Sequence, residues 1–267
     1  MTVTLRWGAA TDVGRVRQNN EDSLVAEAPV FVVADGMGGR ARGDEASRLA
    51  AGEFARLAGG GGPTTEAVLD AVTRANDAIL AAARATETGA GMGTTLVGLV
   101  LVEESGDQRW CAVNIGDSRL YRWASGELEQ LTVDHSEIQE LVDAGIVGEA
   151  QRASHPRRNV VTRALGTVPA PVADCWLLHP VPGERFLLCS DGLTGHLDDA
   201  QIGAFLASDL TPDGAASRLV AAAVEAGGRD NVTVVVVDVD GGPHVDSDPG
   251  ASTNPRGWDG LGAGGFG

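Results

Sequence analysis

The sequence predicts an α+β fold whose sheets are covered on both faces. Segments rich in β-branched residues predict strands at residues 30–34, 95–102, 110–115, 186–189 and 232–239. These segments are apolar at successive positions, which indicates that neither side of a strand meets water. Stretches with helical periodicity occur elsewhere. A sheet that packs against a second sheet inside and against helices outside, for example, would account for both patterns.

The helices are predicted from apolar residues that recur every three or four positions. One helical face carries positions 46, 49, 50, 54 and 57, and another carries positions 68, 72, 75 and 79. The second face follows the helix start signal PTTE at residues 63–66. Two more helices are expected near residues 136–144 and 213–226.

Composition predicts one domain and a tail. Of the 267 residues, 43% are apolar, which is enough for a full core, and we expect one domain over residues 1–240. Residues 241–267 are rich in glycine and proline and lack apolar periodicity, which predicts a flexible tail. The sequence contains no run of about 18 apolar residues and no signal-peptide pattern, so a soluble cytoplasmic protein is expected.

Charge and residue usage exclude several functions. The formal net charge of −17 would repel nucleic acid and anionic membranes, so neither is expected as a partner. All 20 basic residues are arginine, which excludes a Walker P-loop and Schiff-base chemistry because both need lysine. Cys111, Cys175 and Cys189 are widely spaced, and they are expected to be buried thiols rather than ligands or disulfides.

Three aspartates occupy matching positions beside predicted strands. Asp35 and Asp191 follow apolar segments and precede glycine, and Asp230 directly precedes the segment NVTVVVV. If the strand after Asp230 runs antiparallel to the other two, all three carboxylates gather at one edge of the sheet. A cation would relieve their repulsion, and oxygen ligands without clustered His or Cys favour Mg²⁺ or Mn²⁺. A single Asp-Gly pair is more often a turn, but three acids in matching positions predict a metal site.

Eight sequence blocks carry a family resemblance. In chain order they are TDVGRVRQNNEDS (11–23), VVADGMGG (32–39), GMGTTLV (91–97), NIGDSRLY (114–121), LTVDHS (131–136), NVVTRALG (159–166), LLCSDGLTG (187–195) and RDNVTVVVV (229–237). As an ordered set they resemble the metal-dependent protein phosphatases, or type 2C serine/threonine phosphatases, in their compact bacterial form. The resemblance implies a four-layer α-β-β-α sandwich, with two mostly antiparallel sheets face to face and helices on both outer faces. It also implies hydrolysis of phosphoserine and phosphothreonine by water that a pair of metal ions activates.

The resemblance also implies which residues hold the two divalent cations, Mn²⁺ or Mg²⁺. Asp35, Asp191 and Asp230 match the core ligands, with Asp35 bridging the two ions. Asp22 and the Gly36 carbonyl match ligands of the second ion, partly through water. Glycine also leaves its carbonyl open to a close approach by a cation.

Other matched residues would bind the substrate or support the ligands. Arg17 matches the arginine that binds the substrate phosphate, so it is expected to be catalytic together with the bridging aspartate. Asp117 matches the ligand of a third, weaker metal. Glu21 and Asn231 are expected to support the ligand residues without binding the metal themselves. Residues 134–160 match a flap beside the site.

One position departs from the family pattern. Many bacterial relatives have a histidine directly after the DGMGG block, where it is proposed to protonate the leaving group, but this chain has Arg40. Arginine stays charged at neutral pH and does not donate a proton, so no residue is assigned as the general acid.

The expected partners are phosphorylated proteins that are substrates of bacterial serine/threonine kinases. The chain is expected to act as a monomer.

Two other functions stay open. A catalytically weak relative could bind phosphoproteins as a regulatory module, which Arg40 favours slightly and the intact set of acids opposes. A two-metal nuclease or nucleotide hydrolase would use the same acids, although the net charge opposes a nuclease.

Covalent hydrolases are disfavoured because the chain has neither a G-x-S-x-G elbow nor a Cys-x5-Arg loop. The five histidines show no metal-ligand spacing, and they are expected either at the surface or in contact with site residues as supporting groups.

Overall fold

The structure, a computed structural model, describes residues 3–38, 42–59, 61–85 and 91–242. Arg40 lies outside these residues, and so do residues 243–267 of the predicted tail. Within the described ranges, we find no helix with the length and apolar character needed to cross a membrane.

All five predicted strands and all four predicted helices are present, together with elements that were not predicted. The strands are β1 (Thr4–Asp12), β2 (Asp22–Glu27), β3 (Val30–Gly38), β4 (Met92–Thr94), β5 (Leu96–Glu104), β6 (Asp107–Ile115), β7 (Arg119–Ala124), β8 (Glu127–Gln130), β9 (Asp174–Leu178), β10 (Arg185–Cys189) and β11 (Val232–Gly241). The helices are α1 (Gly43–Ala58), α2 (Thr65–Arg84), α3 (Glu137–Asp143), α4 (Asp191–Thr194), α5 (Asp199–Leu206) and α6 (Pro212–Glu225), with a 3-10 helix over Glu149–Ser154. The start signal before α2 is confirmed, because the Thr64 side chain accepts a hydrogen bond from the Ala67 amide at 3.2 Å.

The strands form two antiparallel sheets. One sheet has the order β1-β11-β10-β7-β8, and the other has the order β2-β3-β5-β6-β9, with β4 paired to β3. β3 and β5 pair antiparallel, and so do β10 and β11. The three aspartate-bearing segments are therefore divided between the sheets, since β3 belongs to one and β10 and β11 to the other. The expectation that all three acids lie at the edge of one sheet is wrong.

The core has three apolar layers, and together they produce the four-layer sandwich. On β3, Phe31 and Val33 face the opposite sheet, whereas Val30, Val32 and Ala34 face α1 and α2. A third apolar layer lies between the outer face of the other sheet and α4, α5 and α6. Strands buried on both faces need apolar residues at every position, which is why their sequences do not alternate. The predicted fold class is confirmed.

Strand ends and edge strands differ from the prediction. β3 continues to Gly38, so Asp35 lies inside a strand rather than after it. Asp191 opens the short helix α4 rather than occupying a simple turn. β1 was not predicted because its residues are mostly exposed or half-buried, and its sequence therefore lacks a continuous apolar segment.

The inter-sheet layer contains the core side chain with the clearest expected contribution to stability. Phe31 is 0% exposed, and its ring packs against Trp7 and Trp110 with centroid separations of 5.7 and 6.2 Å. We expect Phe31→Ala to lower the free energy of unfolding by about 3–5 kcal/mol, because it removes buried surface and leaves a cavity. Urea unfolding measures this change. Val172→Ala, at a side chain that is 77% exposed, is the control and should change the free energy by less than about 0.5 kcal/mol.

Candidate functional site

Two of the predicted acids face each other on neighbouring strands. Asp22 opens β2 and pairs with Asp35 of β3 in the antiparallel register, so both side chains lie on one face of the sheet. The Asp35 amide donates a hydrogen bond to the Thr95 hydroxyl at 3.0 Å, and the Gly36 amide donates to the Glu21 carbonyl at 3.1 Å. These bonds hold Asp-Gly in an extended conformation, although this dipeptide often forms turns.

The other two acids come from the second sheet. Asp191 follows β10 and Asp230 precedes β11, and these antiparallel strands place the end of one beside the start of the other. Ser190 joins the two sheets at this point. Its hydroxyl donates to the Asp22 carboxylate at 2.8 Å and accepts from the Thr233 amide at 3.0 Å. Four acids from two sheets therefore meet where the sheet ends converge.

The electrostatics of this cluster favour a compensating positive charge. Desolvation by the surrounding protein, followed by the nearby acids, raises the pKa of Asp22 to about 6 and the pKa of Asp35 well above its usual range. The pKa of Asp191 is also raised, by desolvation and then by the charge of Asp230, although a hydrogen bond with Asp35 opposes the shift. As whole residues, Asp22, Asp35 and Asp191 are half-buried. The cluster thus binds protons more tightly than free aspartates do, and a cation would take their place.

The donor atoms fit divalent cations that prefer oxygen. Asp22 Oδ1 is buried and has no hydrogen-bond partner in the described part of the chain, which leaves one acceptor of the cluster unsatisfied. All the other candidate donors are carboxylate or carbonyl oxygens, as Mg²⁺ and Mn²⁺ prefer. Among the described residues, no three acidic, imidazole or thiol groups already converge at metal-ligand distance.

Gly36 is required by packing as well as by its predicted carbonyl role. A Cβ atom at this position would lie 2.1 Å from the Gly43 carbonyl oxygen and 2.5 Å from the Glu21 carbonyl oxygen. Any side chain would therefore push the first turn of α1 away from β3. Glycine is therefore required at position 36 for steric reasons, and this requirement is not visible in the neighbouring sequence.

Arg17 lies at the rim of the acidic cluster. Its guanidinium donates to the Asp230 carboxylate at 2.7 Å, and this hydrogen bond raises the Arg17 pKa. The Arg17 side chain is 52% exposed, so its remaining N–H groups are open to a ligand. Behind it, Asn231 accepts from the Glu21 amide at 2.8 Å and donates to the carbonyls of Val13 and Asn19. Asn231 therefore ties the loop that carries Arg17 to the start of β11.

Asp117 lies in the turn between β6 and β7 and is 8% exposed. Burial, followed by the charges of Asp191 and Asp134, raises its pKa to about 8. His135 supports this turn, because its Nδ1 accepts from the Gly116 amide at 3.0 Å and its Nε2 lies 3.0 Å from the Asp174 carboxylate. Asp117 thus stands close enough to Asp191 to extend the acidic cluster.

Sequence reasoning missed several residues that position the site. His135 is buried at 7% exposure, so the surface alternative is wrong for this histidine. His196 accepts a hydrogen bond from the Arg229 amide at 3.0 Å and thereby supports the turn before Asp230. Ser190, which joins the two sheets, was not singled out either. Isolated serine and histidine residues have no periodicity. Ser190 and His135 lie inside family blocks, which could have indicated a role, whereas His196 lies outside them.

The predicted flap is a separate excursion between β8 and β9. Its beginning and end are joined by a bridge between Ser136 and Val161, and α3 and the 3-10 helix lie between them. Asp134 anchors the beginning through two hydrogen bonds from Arg119, at 2.9 and 2.7 Å, and one from Arg152 at 3.3 Å. The segment starts directly after the strands that lead away from Asp117.

Comparison with known proteins agrees with this architecture. The family model described as Protein phosphatase 2C matches residues 14–222. The serine/threonine protein phosphatase PstP of Mycobacterium tuberculosis is 41% identical over 244 residues, covering 90% of this chain and 46% of the relative. This chain thus spans about half the length of that relative. The serine/threonine phosphatase stp of Listeria innocua is 34% identical over 243 residues, covering 85% of this chain and 93% of the relative.

Solved structures show the same arrangement of sheets and helices. The crystal structure of the catalytic domain of serine threonine protein phosphatase PstP in complex with two manganese ions superposes with a TM-score of 0.80. It is 38% identical to this chain and covers 90% of it and 100% of the solved chain. Given the family match, the identities and the shared fold, this chain belongs to the protein phosphatase 2C family.

Proposed function

We propose that this chain is a metal-dependent protein serine/threonine phosphatase that hydrolyses phosphoserine and phosphothreonine. The observation that carries the proposal is the cluster of acids contributed by both sheets, with the unpartnered Asp22 Oδ1 inside it and Arg17 at its rim. The names of the relatives, which are serine/threonine phosphatases, support the choice of reaction. The manganese pair in the related catalytic domain supports a pair of divalent cations, Mn²⁺ or Mg²⁺.

The proposed ligands are the acids that the fold brings together. Asp35 interacts with Asp22, Asp191, Asp117 and Asp230. Asp35, Asp191 and Asp230 are proposed as core ligands, Asp22 and the Gly36 carbonyl as ligands of the second ion, and Asp117 as the ligand of a third, weaker ion. Bound divalent cations lower the pKa of water toward neutrality and offset the charge of a phosphoryl group.

The protein's own groups would orient the substrate and keep the acids in place. Arg17 is positioned to bind and orient phosphoryl oxygens while Asp230 fixes its guanidinium. Ser190 and the Thr95 hydroxyl hold Asp22 and the Asp35 amide, so that the carboxylates are arranged before the substrate arrives.

The natural substrates are proposed to be proteins phosphorylated by bacterial serine/threonine kinases; the relatives named as serine/threonine phosphatases support only the class of phosphorylated residue. The chain is proposed to act as a monomer. The domain is proposed to end near residue 240, where β11 ends, with residues 241–267 as a tail.

Substrate competition tests the proposed reaction. We expect phosphate release from a phosphothreonine peptide with Mn²⁺ or Mg²⁺, and none after chelation. A nucleotide and single-stranded DNA serve as competing substrates, and a preference for either would favour a nuclease or nucleotide hydrolase. Calorimetry that shows phosphopeptide binding without phosphate release would instead favour a regulatory binding module.

A change at Arg17 tests phosphate recognition. We expect Arg17→Ala to lower kcat/KM for the phosphopeptide by about 10–100-fold at saturating Mn²⁺, because a charge-assisted hydrogen bond to phosphate contributes about 1.5–3 kcal/mol. Arg17→Lys keeps the positive charge but lacks the planar guanidinium, so its kcat/KM should lie between that of the unchanged chain and that of Arg17→Ala. Arg218→Ala, at an exposed arginine of α6, is the matched control and should leave kcat/KM unchanged. Unchanged kcat/KM in Arg17→Ala would contradict the assigned role.

A further inference from the structure

Two of the three cysteines meet in the structure. Cys111 lies on β6 and is buried, and Cys175 lies on the edge strand β9 and is half-buried. Their Sγ atoms are 3.4 Å apart. Cys189, on β10 of the other sheet, is buried and has no thiol contact in the described structure. The chain therefore contains one thiol pair and one isolated thiol.

The strand register explains why these two thiols are close. Cys111 pairs with Leu177 and Val113 pairs with Cys175, so the two cysteines are diagonal neighbours on adjacent strands. Both side chains lie on the face of the sheet that carries the helices. Diagonal neighbours on one face are within reach of each other, and here the sulfur atoms are in contact.

The two thiols differ in access and in acidity. Cys175 is partly accessible to a small oxidant, whereas Cys111 is 0% exposed. The hydrogen-bonded contact with the Cys111 thiol lowers the pKa of Cys175, although burial and the charge of Glu104 oppose the shift. The same contact, followed by burial, raises the pKa of Cys111. Cys175 is therefore the thiol suited to react first, with Cys111 as its resolving partner.

We propose that Cys111 and Cys175 are a redox-active pair that forms a reversible intrachain disulfide with hydroperoxides. The Cys175 thiolate attacks the terminal peroxide oxygen and breaks the O–O bond, which yields a sulfenic acid. The departing oxygen takes up the proton that the Cys175 thiol released and leaves as an alcohol, or as water from hydrogen peroxide. The Cys111 sulfur then attacks the sulfenic sulfur, and the hydroxyl group leaves as water with the Cys111 proton. Two thiols are oxidised and one peroxide is reduced. The sulfur atoms must approach from 3.4 Å to about 2.05 Å. The Cα atoms of diagonal neighbours are about 7–8 Å apart, at the upper limit for a disulfide, so β9, which in the described structure is an edge strand paired only with β6, must move toward β6.

The bond would join the edge strand to its neighbour next to the site's supporting groups. Asp174 precedes Cys175 and contacts both His135 and Arg163, at 3.0 and 2.8 Å. His135 in turn holds the turn that carries Asp117. The disulfide would therefore restrain the strand by which the chain leaves the predicted flap.

Mass spectrometry of the full chain tests the pair. After hydrogen peroxide at low molar excess, we expect a mass loss of about 2 Da, a fall from three free thiols to one, and reversal by dithiothreitol. Peptide mapping should show Cys111 joined to Cys175. Cys189→Ala is the matched control and should still lose about 2 Da.

Variants distinguish this disulfide from simple oxidation. Cys175→Ser is at a half-buried position and should abolish the mass loss, and Cys111→Ala should allow a sulfenic acid on Cys175 to be trapped by dimedone. A mass gain at Cys175 in the unchanged chain, a disulfide between two chains, a bond that involves Cys189, or three thiols that stay free would each overturn the proposal.

Discussion

Asp35→Asn and Asp191→Asn are each expected to lower metal-dependent hydrolysis of a phosphothreonine peptide by at least about a thousandfold. Both residues lie in the centre of the acidic cluster, where each interacts with the other acids. Asparagine keeps the size of the side chain but removes the charge that attracts a divalent cation. Loss of several kcal/mol of charge stabilisation corresponds to three or more powers of ten in rate.

The same substitution at a distant exposed acid separates loss of the site from a general loss of charge. Asp70→Asn changes an exposed residue of α2 and should retain full activity. Thermal melting of all three variants shows whether the fold is intact. Full activity of either cluster variant in an intact fold would exclude these acids as ligands of the reactive centre.

The metal-free protein is expected to lose stability as the pH rises from about 4 to about 8, and divalent cations should restore it. The folded-state pKa of Asp22 is about 6 and that of Asp117 about 8, both above the value of 3.8 for a free aspartate. The native state therefore binds more protons than the unfolded state between these values, so the stability that is present below about pH 4 is lost as pH rises through the folded-state pKa. For Asp22 alone the effect is on the order of 3 kcal/mol.

A difference measurement isolates this contribution from the other titrating groups. The free energy of unfolding is measured by urea between pH 5 and pH 8 in chelator, for the unchanged chain and for Asp22→Asn. The variant should lose less stability over this interval because the titrating group is absent. Saturating Mn²⁺ should stabilise the unchanged chain more at pH 8 than at pH 5, since protons compete with the cation. Equal pH slopes for the two proteins would argue against the buried, uncompensated state of Asp22.

The fold class was predictable because its strongest signal is physical. β5 and β11 are apolar on both faces, and no arrangement other than a covered sheet buries such strands. β1 is different because it lies at a sheet edge and its half-exposed residues resemble a loop. The division of strands between two sheets was not predictable from the segments themselves, since apolar patterning does not specify which strand pairs with which.

In the candidate site, too, some residues could be predicted from the neighbouring sequence and others could not. Asp35, Asp191 and Asp230 were found from their position beside apolar strands, which is a local property of the sequence. Ser190 and His135 act through hydrogen bonds to residues far along the chain, Asp22 and Gly116. Such contacts depend on how the two sheets and the flap are placed in space, so nothing in the neighbouring residues indicates them.

Ser190 has a wider consequence because it joins the two sheets at the acidic cluster. A cation held by the proposed ligands from both sheets would cross-link the two halves of the sandwich. Neither half could then open locally without releasing the ion, so β2 and β11 would belong to the same cooperative unit. Metal binding by the acids would therefore couple the local opening of one sheet to that of the other.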